Sequence, residues 1–388
     1  MQVERSCSWV MEKKKVLFVA TVVKTHIMEF HIPYLKMFQD MGWETAVASK
    51  NDYEDPADCI IPYCDQYYDI PFARIPWKKD NIRAYQNLKK IIDEGGFDLI
   101  HCHTPVGAMI ARLAAASARK RGTKVIYTAH GFHFFKGAPL VNWLAYFPAE
   151  WLLGSLTDIL ITINKEDYAF AQKHIRAKRI EYVPGVGIDT ARFSAKGKDR
   201  IEKRQELGFA EEDFLAITVA EMTKNKNHTT VLKALAILKN TPEFKRMHYL
   251  ICGRGEQWPA LEAEAKQLGI SGHVHFLGYR HDVPELVSCS DLFVFMTLRE
   301  GLPVALMEAM GCGLPTVCQN IRGNNDLIDD GVEGDFVANT PQAVADAILA
   351  NYRNPEKRQR MGSAAVQKVA QFDKSNVHEM MKKIYLSA

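Results

Sequence analysis

The sequence has little net charge, no long apolar run and no closely spaced cysteine pair. Its 388 residues carry a formal charge of only +3, which implies no field for binding a nucleic acid. No run approaches the ~20 apolar residues of a membrane-spanning helix, so any membrane contact is expected to be peripheral. Its eight cysteines form no Cys-x-x-Cys pair, and several lie in apolar runs. This usage fits a reduced protein of the cytoplasm or of the inner face of its membrane.

The start of the chain lacks the marks of a secretion signal and of a dinucleotide-binding loop. The apolar run at 16–23 is short for a signal core and has no small-residue cleavage site, so it predicts a first strand. No Gly-x-Gly-x-x-Gly follows that strand, which argues against a Rossmann dehydrogenase. Residues 1–10 are expected to be an appendage ahead of a natural start near Met11.

Two series of short apolar runs alternate with helical patterns. The runs lie at 16–23, 44–49, 99–103, 124–129, 158–164 and 180–184, and then at 214–220, 247–253, 273–278, 291–296, 315–320 and 334–338. Continuous apolar runs of this kind are typical of parallel strands covered by helices on both faces. The sequence therefore predicts an α/β protein with two doubly wound sheets in tandem.

The interruption between the two series predicts the domain boundary. A polar, charged segment separates them, and a linker is expected near 185–200. The predicted domains are 1–193 and 194–372. After the last strand the pattern is purely helical, so residues 373–388 are expected to form a helix that packs back on the first domain.

Two glutamates flank the entry to an apolar helix in "REGLPVALMEAMG", residues 299–311. Pro303 is predicted at the first helical position, and the free N–H groups of the helix N-terminus are suited to a diphosphate. Glu308 leans back toward that end. With Glu300 it can accept hydrogen bonds from sugar or ribose hydroxyls, which predicts a nucleotide-sugar site. In the alternative interpretation, Glu300 is a loop charge and Glu308 a half-exposed capping residue.

The Glu-x7-Glu motif in this stretch resembles the signature of the retaining glycosyltransferases of family four, which have the GT-B fold. Stretches at 127–143, 158–171 and 183–193 resemble the branch that builds capsular and other bacterial surface polysaccharides. The resemblance covers nearly the whole chain. It implies two Rossmann-like domains facing across a cleft, the first binding the acceptor and the second the nucleotide-sugar donor. It implies no obligatory metal, and the sequence agrees in having no Asp-x-Asp triplet.

The resemblance assigns roles in the second domain. Glu300 is implied to contact the transferred sugar, Glu308 the ribose, and Lys226 the diphosphate. The other predicted donor contacts are Gly301, Leu302, Pro303, Val304, Ala305, Glu221, Lys224, Gly253, Gly278 and Tyr279. Gly253 is chosen because glycine permits close approach to a ligand, and Gly278 and Tyr279 because their loop is placed at the base.

The loop that carries Lys226 departs from the family pattern Gly-Arg-x4-Lys-Gly. Glu221 stands where the family has the arginine, and Asn227 where it has the glycine. The arginine clamp is therefore missing. Lys224 is predicted to supply the second positive charge toward the leaving diphosphate.

In the first domain, His130 and His133 follow a predicted strand. The resemblance implies that His130 lies beside the donor sugar and diphosphate; a purely structural histidine is the alternative. His130, Glu300 and Lys226 are the predicted catalytic residues. The predicted acceptor contacts are Lys24, Thr25, His26 and His133. Lys24-Thr25-His26 replace the Gly-Gly loop of better-known relatives, so the contacts of this loop cannot be copied from those relatives.

The aromatic stretch at 132–153 can either fill the core or receive a lipid-linked acceptor. Basic clusters at 118–124 and 173–179 can likewise be solvated helix ends or weak contacts to anionic lipid.

Taken together, the sequence predicts a retaining glycosyltransferase of the hexosyl or N-acetylhexosaminyl type (EC 2.4). The expected donor is a nucleoside-diphosphate sugar, most simply UDP-linked, and the expected acceptor is a lipid-linked saccharide of surface polysaccharide biosynthesis. No cofactor and no metal are expected. Two other functions fit the same architecture: a nucleotide-sugar epimerase that recruits the histidines as acid and base, and a non-catalytic subunit that binds a nucleotide-sugar.

Overall fold

The computed structural model describes residues 13–194 and 199–388. Residues 1–10, expected to be an appendage, and part of the predicted linker lie outside these ranges. The chain divides into two compact units, Met1–Tyr182 with Ile384–Ala388, and Val183–Lys383. The sequence analysis puts the boundary after residue 193. In the structure, Ile188 forms a parallel bridge with Asp373, which holds the segment after Tyr182 within the second unit.

The first unit contains a parallel sheet of seven strands within the described residues, in the order β3-β2-β1-β4-β5-β6-β7. Its strands are β1 Lys15–Val22, β2 Glu44–Lys50, β3 Gln66–Asp69, β4 Leu99–His103, β5 Lys124–Ala129, β6 Ile159–Thr162 and β7 Arg179–Tyr182. The central strands are buried on both faces; all five residues of β4 are buried. Their continuous apolar pattern reflects this burial.

Seven α-helices of the described chain belong to this unit. They are α1 Met28–Phe30, α2 Ile32–Asp40, α3 Asp80–Gly95, α4 Pro105–Ala114, α5 Ala116–Lys120, α6 Leu140–Gly154 and α7 Lys165–His174. A π-helical turn, Val23–Ile27, connects β1 to α1. The core consists of strand residues such as Leu17, Ile100 and Val125 packed against apolar residues of α3 and α4.

The second unit contains a parallel sheet of six strands within the described residues, in the order β10-β9-β8-β11-β12-β13. Its strands are β8 Phe214–Val219, β9 Met247–Cys252, β10 Val274–Gly278, β11 Leu292–Phe295, β12 Thr316–Cys318 and β13 Gly334–Phe336. The helices of the later part of the chain are α8 Arg200–Glu206, α9 His228–Leu238, α10 Trp258–Leu268, α11 Val283–Ser288, α12 Val304–Gly311, α13 Asn324–Leu327, α14 Pro341–Arg353, α15 Pro355–Val369 and α16 Lys374–Leu386.

Each sheet has one point where the strand order reverses. In the first it lies between β1 and β4, and in the second between β8 and β11. The loops that leave the carboxyl ends of two such strands part to opposite sides and open a crevice, where ligands of doubly wound sheets bind. The predicted site residues should therefore follow β1, β4, β8 and β11.

The prediction of two doubly wound parallel sheets is confirmed. All twelve predicted strands are present within a few residues of their expected bounds. The sequence analysis missed β3, whose "QYYD" is short and only half-buried or exposed, because an edge strand of this kind carries no apolar run.

The C-terminal helix α16 ends in the first unit. Tyr385 is 5% exposed, and its hydroxyl lies 2.7 Å from Nδ1 of the buried His101. Its ring packs on Phe38 with centroids 4.8 Å apart. The last residues therefore complete the core of the unit that contains the start of the chain. Along the described chain, no helix combines the length and the apolar character needed to cross a bilayer.

Candidate active site

Lys226 and Glu300 lie together at the reversal point of the second sheet. Lys226 follows β8 and Glu300 follows β11. The ammonium Nζ of Lys226 donates to Oε1 of Glu300 at 2.6 Å, and the two side chains are 22% and 12% exposed. The hydroxyl of Thr297 donates to the same carboxylate oxygen at 2.7 Å. The structure thus brings together two predicted catalytic residues, 74 positions apart in the chain.

Side chains that the sequence analysis did not single out fix the two loops. The amide of Asn225 donates to the carbonyl of Arg299 at 3.0 Å. The amide of Gln319, after β12, donates to the carbonyls of Met296 and Thr297 at 3.0 and 2.8 Å. Polar residues directly after apolar strands were the available signal for Thr297 and Gln319. These hydrogen bonds fix the loops after β8 and β11 before a ligand binds. Electrostatic catalysis needs polar groups that are positioned in advance in this way.

Asn227 explains one departure from the family pattern. Its backbone has φ +54° and ψ +41°, the left-handed conformation that glycine adopts without cost and asparagine tolerates best among other residues. Its side-chain amide donates to the carbonyl of Met296 at 3.1 Å, which supports this conformation. Asparagine can therefore replace the glycine that the family shows here.

The N-terminus of α12 carries no side-chain cap. The helix runs Val304–Gly311, and Pro303 has φ −77° and ψ 116°. The prediction that Pro303 is the first helical residue is therefore wrong by one position, because its extended ψ places it before the helix. The first turn contains no acidic residue. Val304 and Ala305 are half-buried, so their N–H groups and the positive end of the helix dipole can receive an anion.

Glu308 lies in the second turn of α12 and is half-buried. Burial raises the pKa of its carboxyl to about 7, although the charges of Arg192 and Lys374 oppose the shift. At neutral pH the carboxyl is therefore partly protonated. A hydroxyl-bearing ligand that donates hydrogen bonds to this group will favour its ionised form.

Other predicted donor residues occupy exposed positions around this group. Glu221 and Lys224 are exposed, and the carbonyl oxygen of Glu221 lies 3.3 Å from Nε2 of His228. Tyr279 is 62% exposed, with Arg254 above its ring. Leu302 is buried, so it contributes its backbone rather than its side chain to any donor contact. Gly301 precedes it in the same turn.

Gly253 is close to the protein's own backbone. A Cβ at this position would lie 2.0 Å from the carbonyl oxygen of Ala220, and one at Gly255 would lie 2.3 Å from that of Met222. The close approach that suggested a ligand at Gly253 is thus made by the segment after β8. The glycines allow the loops after β8 and β9 to pack together; a donor contact by Gly253 remains a prediction. The carbonyl oxygen of Gly278 accepts a hydrogen bond from the Gly253 amide at 2.8 Å.

Substituting Gly253 with alanine should destabilise the second unit. The new methyl group would overlap the Ala220 carbonyl, and the backbone must move to relieve the overlap. We expect the free energy of unfolding to fall by more than about 3 kcal/mol, measured by urea denaturation. Gly272→Ala is the matched control, since a Cβ there has no atom within 4 Å. Equal stability of the two variants would contradict the backbone role.

The first unit has a cavity of about 330 Å³ beside its own reversal point. Three of the four predicted acceptor residues line it, namely Thr25, His26 and His133. Lys24 does not: its amide donates to Asp52 at 2.7 Å, and its ammonium lies over the ring of Tyr53. The other lining residues are Thr21, Val22, Arg74, Pro76, Thr104, Pro105, Val106 and Tyr146. Arg74 adds a positive charge that the sequence analysis missed.

His130 follows β5 and faces other histidines. Its Nε2 lies 3.4 Å from Nδ1 of His103, at the end of β4. Burial lowers the pKa of His130 to about 4, so the imidazole is neutral. The sequence signal for His103 was the alternation in "LIHCH", which places His101 and His103 on one face of the strand.

The aromatic stretch at 132–153 contributes to the core of the first unit, and its contact with a lipid-linked acceptor stays a prediction. Trp143 and Phe147 of α6 pack against Phe134 and the core of the first unit. A different set of α6 side chains is exposed: Leu140, Val141, Leu144 and Leu152. We call this set the α6 apolar face. Isolated apolar side chains are common on surfaces, but four on one helix suggest a contact with an apolar partner.

Comparison with known proteins decides the family. The family model for glycosyl transferases group 1 matches residues 199–368, and that for glycosyl transferase 4-like proteins matches residues 15–164. A Bacillus subtilis (strain 168) protein named "Putative glycosyltransferase EpsD" is 39% identical over 96% of both chains. The chain belongs to glycosyltransferase family 4.

Two further proteins resemble the chain at lower sequence identity. An Escherichia coli enzyme named UDP-Gal:alpha-D-GlcNAc-diphosphoundecaprenol alpha-1,3-galactosyltransferase is 28% identical over 66% of each chain. Anabaena HepE, crystallised with UDP and glucose, is 20% identical, covers 97% of this chain and 100% of its own, and superposes with a TM-score of 0.79. This likeness confirms the GT-B fold expected from the sequence. This chain is therefore a glycosyltransferase.

Proposed function

We propose that this glycosyltransferase moves a sugar from a UDP-sugar to a saccharide carried on a polyprenyl diphosphate, with retention of configuration, during surface polysaccharide synthesis. The observation that carries the proposal is the Lys226–Glu300 pair beside the uncapped N-terminus of α12. A nucleoside-diphosphate sugar offers the complementary groups: two phosphates for the cation and amides, and hydroxyls for the carboxylates.

Positive and negative groups of the site bind different parts of the donor. Lys226 and the N–H groups of Val304 and Ala305 stabilise the diphosphate as it leaves with negative charge. Glu300 then accepts from hydroxyls of the sugar and Glu308 from those of the ribose. The ion pair at 2.6 Å holds the ammonium of Lys226 at the mouth of the site until the phosphates replace the carboxylate as its partner.

In the proposed reaction the bond between the anomeric carbon and the phosphate oxygen breaks. The acceptor oxygen forms its new bond to that carbon on the same face, and the leaving phosphate takes the acceptor's proton. No strong protein base is required. A neutral His130, with its pKa lowered by burial, is suited to orient groups by hydrogen bonding rather than to carry a charge.

The acceptor proposal rests on the first unit. The cavity with Thr25, His26 and His133 accommodates polar sugar groups, and Arg74 supplies a charge for a phosphate. The α6 apolar face offers a surface for a lipid chain or for the outer layer of a bilayer. The name of the E. coli relative specifies an acceptor on diphosphoundecaprenol, which supports this class of acceptor.

An assay with defined substrates tests the proposal. The purified chain is incubated with a panel of UDP- and other nucleotide-sugars, with and without an undecaprenyl-diphosphate saccharide, and the product is analysed by NMR for its anomeric configuration. We expect one UDP-sugar to be transferred with retention. An inverted product, or transfer only to water-soluble acceptors, contradicts the proposal. Conversion of the donor without any acceptor indicates an epimerase, and tight donor binding with neither reaction indicates a non-catalytic subunit.

Variants of the α6 apolar face test its lipid role in the same assay. Leu140→Ser with Leu144→Ser, at positions 72% and 70% exposed, should raise KM for the lipid-linked acceptor and leave donor binding unchanged. Val366→Ser, 45% exposed on a helix of the second unit, is the control. An unchanged KM in the Leu140 and Leu144 variant contradicts the lipid contact of the α6 apolar face. It leaves the proposed transfer reaction standing.

A further inference from the structure

Four histidines of the first unit converge on one point. They come from different elements: His26 from the π-helical turn after β1, His31 from the start of α2, His103 from the end of β4, and His130 from the end of β5. Each offers one ring nitrogen, and these nitrogens all lie within 4.8 Å of one another. We call this set the histidine cluster.

Four ring nitrogens of the cluster lack hydrogen-bond partners within the described residues. In the described part of the chain, Nε2 of His26, both ring nitrogens of His31 and Nε2 of His103 are buried without a hydrogen bond. Buried polar groups normally find a partner, because leaving one unpaired costs free energy. Four unpaired atoms in one place require an explanation. A single metal ion, bound by one ring nitrogen of each imidazole, would satisfy at most three of them, since only one nitrogen of His31 can reach it.

The adjacent His101 shows the contrast. It is as buried as its neighbours, but its Nδ1 lies 2.7 Å from the hydroxyl of Tyr385 and its Nε2 lies 2.8 Å from the hydroxyl of Thr128. Both ring nitrogens are therefore satisfied within the protein. The absence of partners is a property of the cluster and not of buried histidines in this unit.

We propose that the histidine cluster binds a divalent transition metal, most suitably Zn²⁺. Neutral imidazole is a common ligand of zinc, whereas Mg²⁺ and Ca²⁺ need oxygen ligands that this group does not contain. In a tetrahedral site with Zn–N bonds of 2.0–2.1 Å, the nitrogens are about 3.4 Å apart. The cluster reaches this geometry if its most distant nitrogens close by about 1.4 Å, a distance that side-chain rotations cover.

The backbone beside the cluster is also unusual. Thr104, directly after His103, has φ +63° and ψ 146°, a conformation that a β-branched residue rarely adopts. Its hydroxyl lies 2.6 Å from that of Thr21, a bond that helps to hold this conformation. The ring of Phe18 stacks parallel to that of His103. Strained residues persist where the surrounding structure fixes a functional group, and here they fix the direction of His103.

A metal at this point would place two positive charges beside the cavity that His26 lines. That cavity also contains Arg74, so the two together would favour an anionic group of a substrate. The sequence analysis expected no metal because the family resemblance implies none and the sequence has no Asp-x-Asp triplet, whereas this site is built from histidines of the first unit. His130 and His26 belong to both proposals, but metal binding is measured without the transfer reaction, so the two proposals can fail separately.

Metal content tests the inference directly. The full chain is prepared without a histidine tag, stripped with a chelator, and titrated with Zn²⁺ against a competing chromophoric chelator. We expect one Zn²⁺ per chain, a melting temperature that rises with Zn²⁺, and a tetrahedral visible spectrum when Co²⁺ replaces it. His31→Leu and His103→Leu should each weaken binding at least a hundredfold and abolish the rise in melting temperature.

The control is His248→Ala, which removes a histidine pair of the second unit, where Nδ1 of His248 lies 3.1 Å from Nε2 of His275. It should retain one Zn²⁺ of unchanged affinity. If the leucine variants do not fold by circular dichroism, His26→Gln at the half-buried rim provides the second variant, with an expected loss of at least tenfold. Less than a tenth of an equivalent bound by the unaltered chain, or equal affinity in every folded cluster variant, overturns the proposal.

Discussion

Lys226→Ala is expected to lower the rate constant for sugar transfer by about 10²–10³, the usual cost of removing one charged or hydrogen-bonding group that stabilises a leaving anion. Lys226 is the cation nearest to Glu300, at 2.6 Å, and the predicted site has no arginine at position 221. The loss should appear in kcat more than in KM, because the charge on the diphosphate grows as the bond to the sugar breaks. Steady-state kinetics with the UDP-sugar identified in the panel assay provides the measurement.

The control for this variant is Lys233→Ala, which removes an exposed lysine of α9 that pairs with Glu264 only at 3.9 Å. It should keep the full rate. Glu300→Gln should also reduce kcat, and the double variant should lose less than the product of the two single losses, since the paired groups act on the same donor. Full activity of Lys226→Ala, or strict multiplicativity, is incompatible with the proposed site.

Glu308→Gln is expected to remove a pH dependence of donor binding. The pKa of Glu308 is raised to about 7 by burial, so only about one carboxyl in ten is ionised at pH 6. If the ionised form accepts from the ribose, the affinity of the unaltered chain for UDP should rise about tenfold between pH 6 and pH 8. The variant should bind more weakly at pH 8 and lack this rise. Because UDP titrates equally in both experiments, its own protonation cancels in the comparison.

Donor affinity should rise with pH, whereas the free energy of unfolding of the unaltered chain should fall relative to that of the Gln variant. The folded-state pKa of Glu308 lies above the ordinary pKa of 4.5 for a glutamate, so between these two values the folded protein holds a proton that the unfolded chain releases. The stabilisation is present below pH 4.5 and is lost as the pH rises through about 7. At pH 8 the Gln variant should therefore be the more stable by about 3 kcal/mol, with the difference vanishing near pH 4.5. The measurement is urea denaturation of both proteins across this pH range. A difference in free energy of unfolding that does not change with pH contradicts the raised pKa.

The fold was predictable from the sequence because a doubly wound sheet repeats one pattern. Parallel strands that are buried on both faces are largely apolar, so strands such as β4 and β9 can be recognised from their sequences. The half-exposed β3 contributes edge hydrogen bonds but little apolar area, and its sequence therefore resembles a loop.

The site was predictable only where a residue type reports its chemistry. Glu300 and Lys226 are charged residues after apolar strands, and the structure pairs them. Gly253 was assigned to a ligand because a sequence does not distinguish a ligand from a neighbouring loop as the cause of close approach. The histidine cluster was not predicted as a set, because its members lie on four elements and only the folded first sheet brings them together.

The first unit combines two stretches that are far apart in the chain, the one that ends at Tyr182 and Ile384–Ala388. A nascent polypeptide can form β1 to β7 early, but the hydroxyl that pairs with the buried imidazole of His101 belongs to Tyr385, 284 residues later. Until that tyrosine has been synthesised, the first unit has an open hydrophobic surface at Phe38 and an unpaired nitrogen in its core. We therefore expect the first unit to be completed only after the second one has been synthesised, and a chain that stalls after β7 to be bound by chaperones.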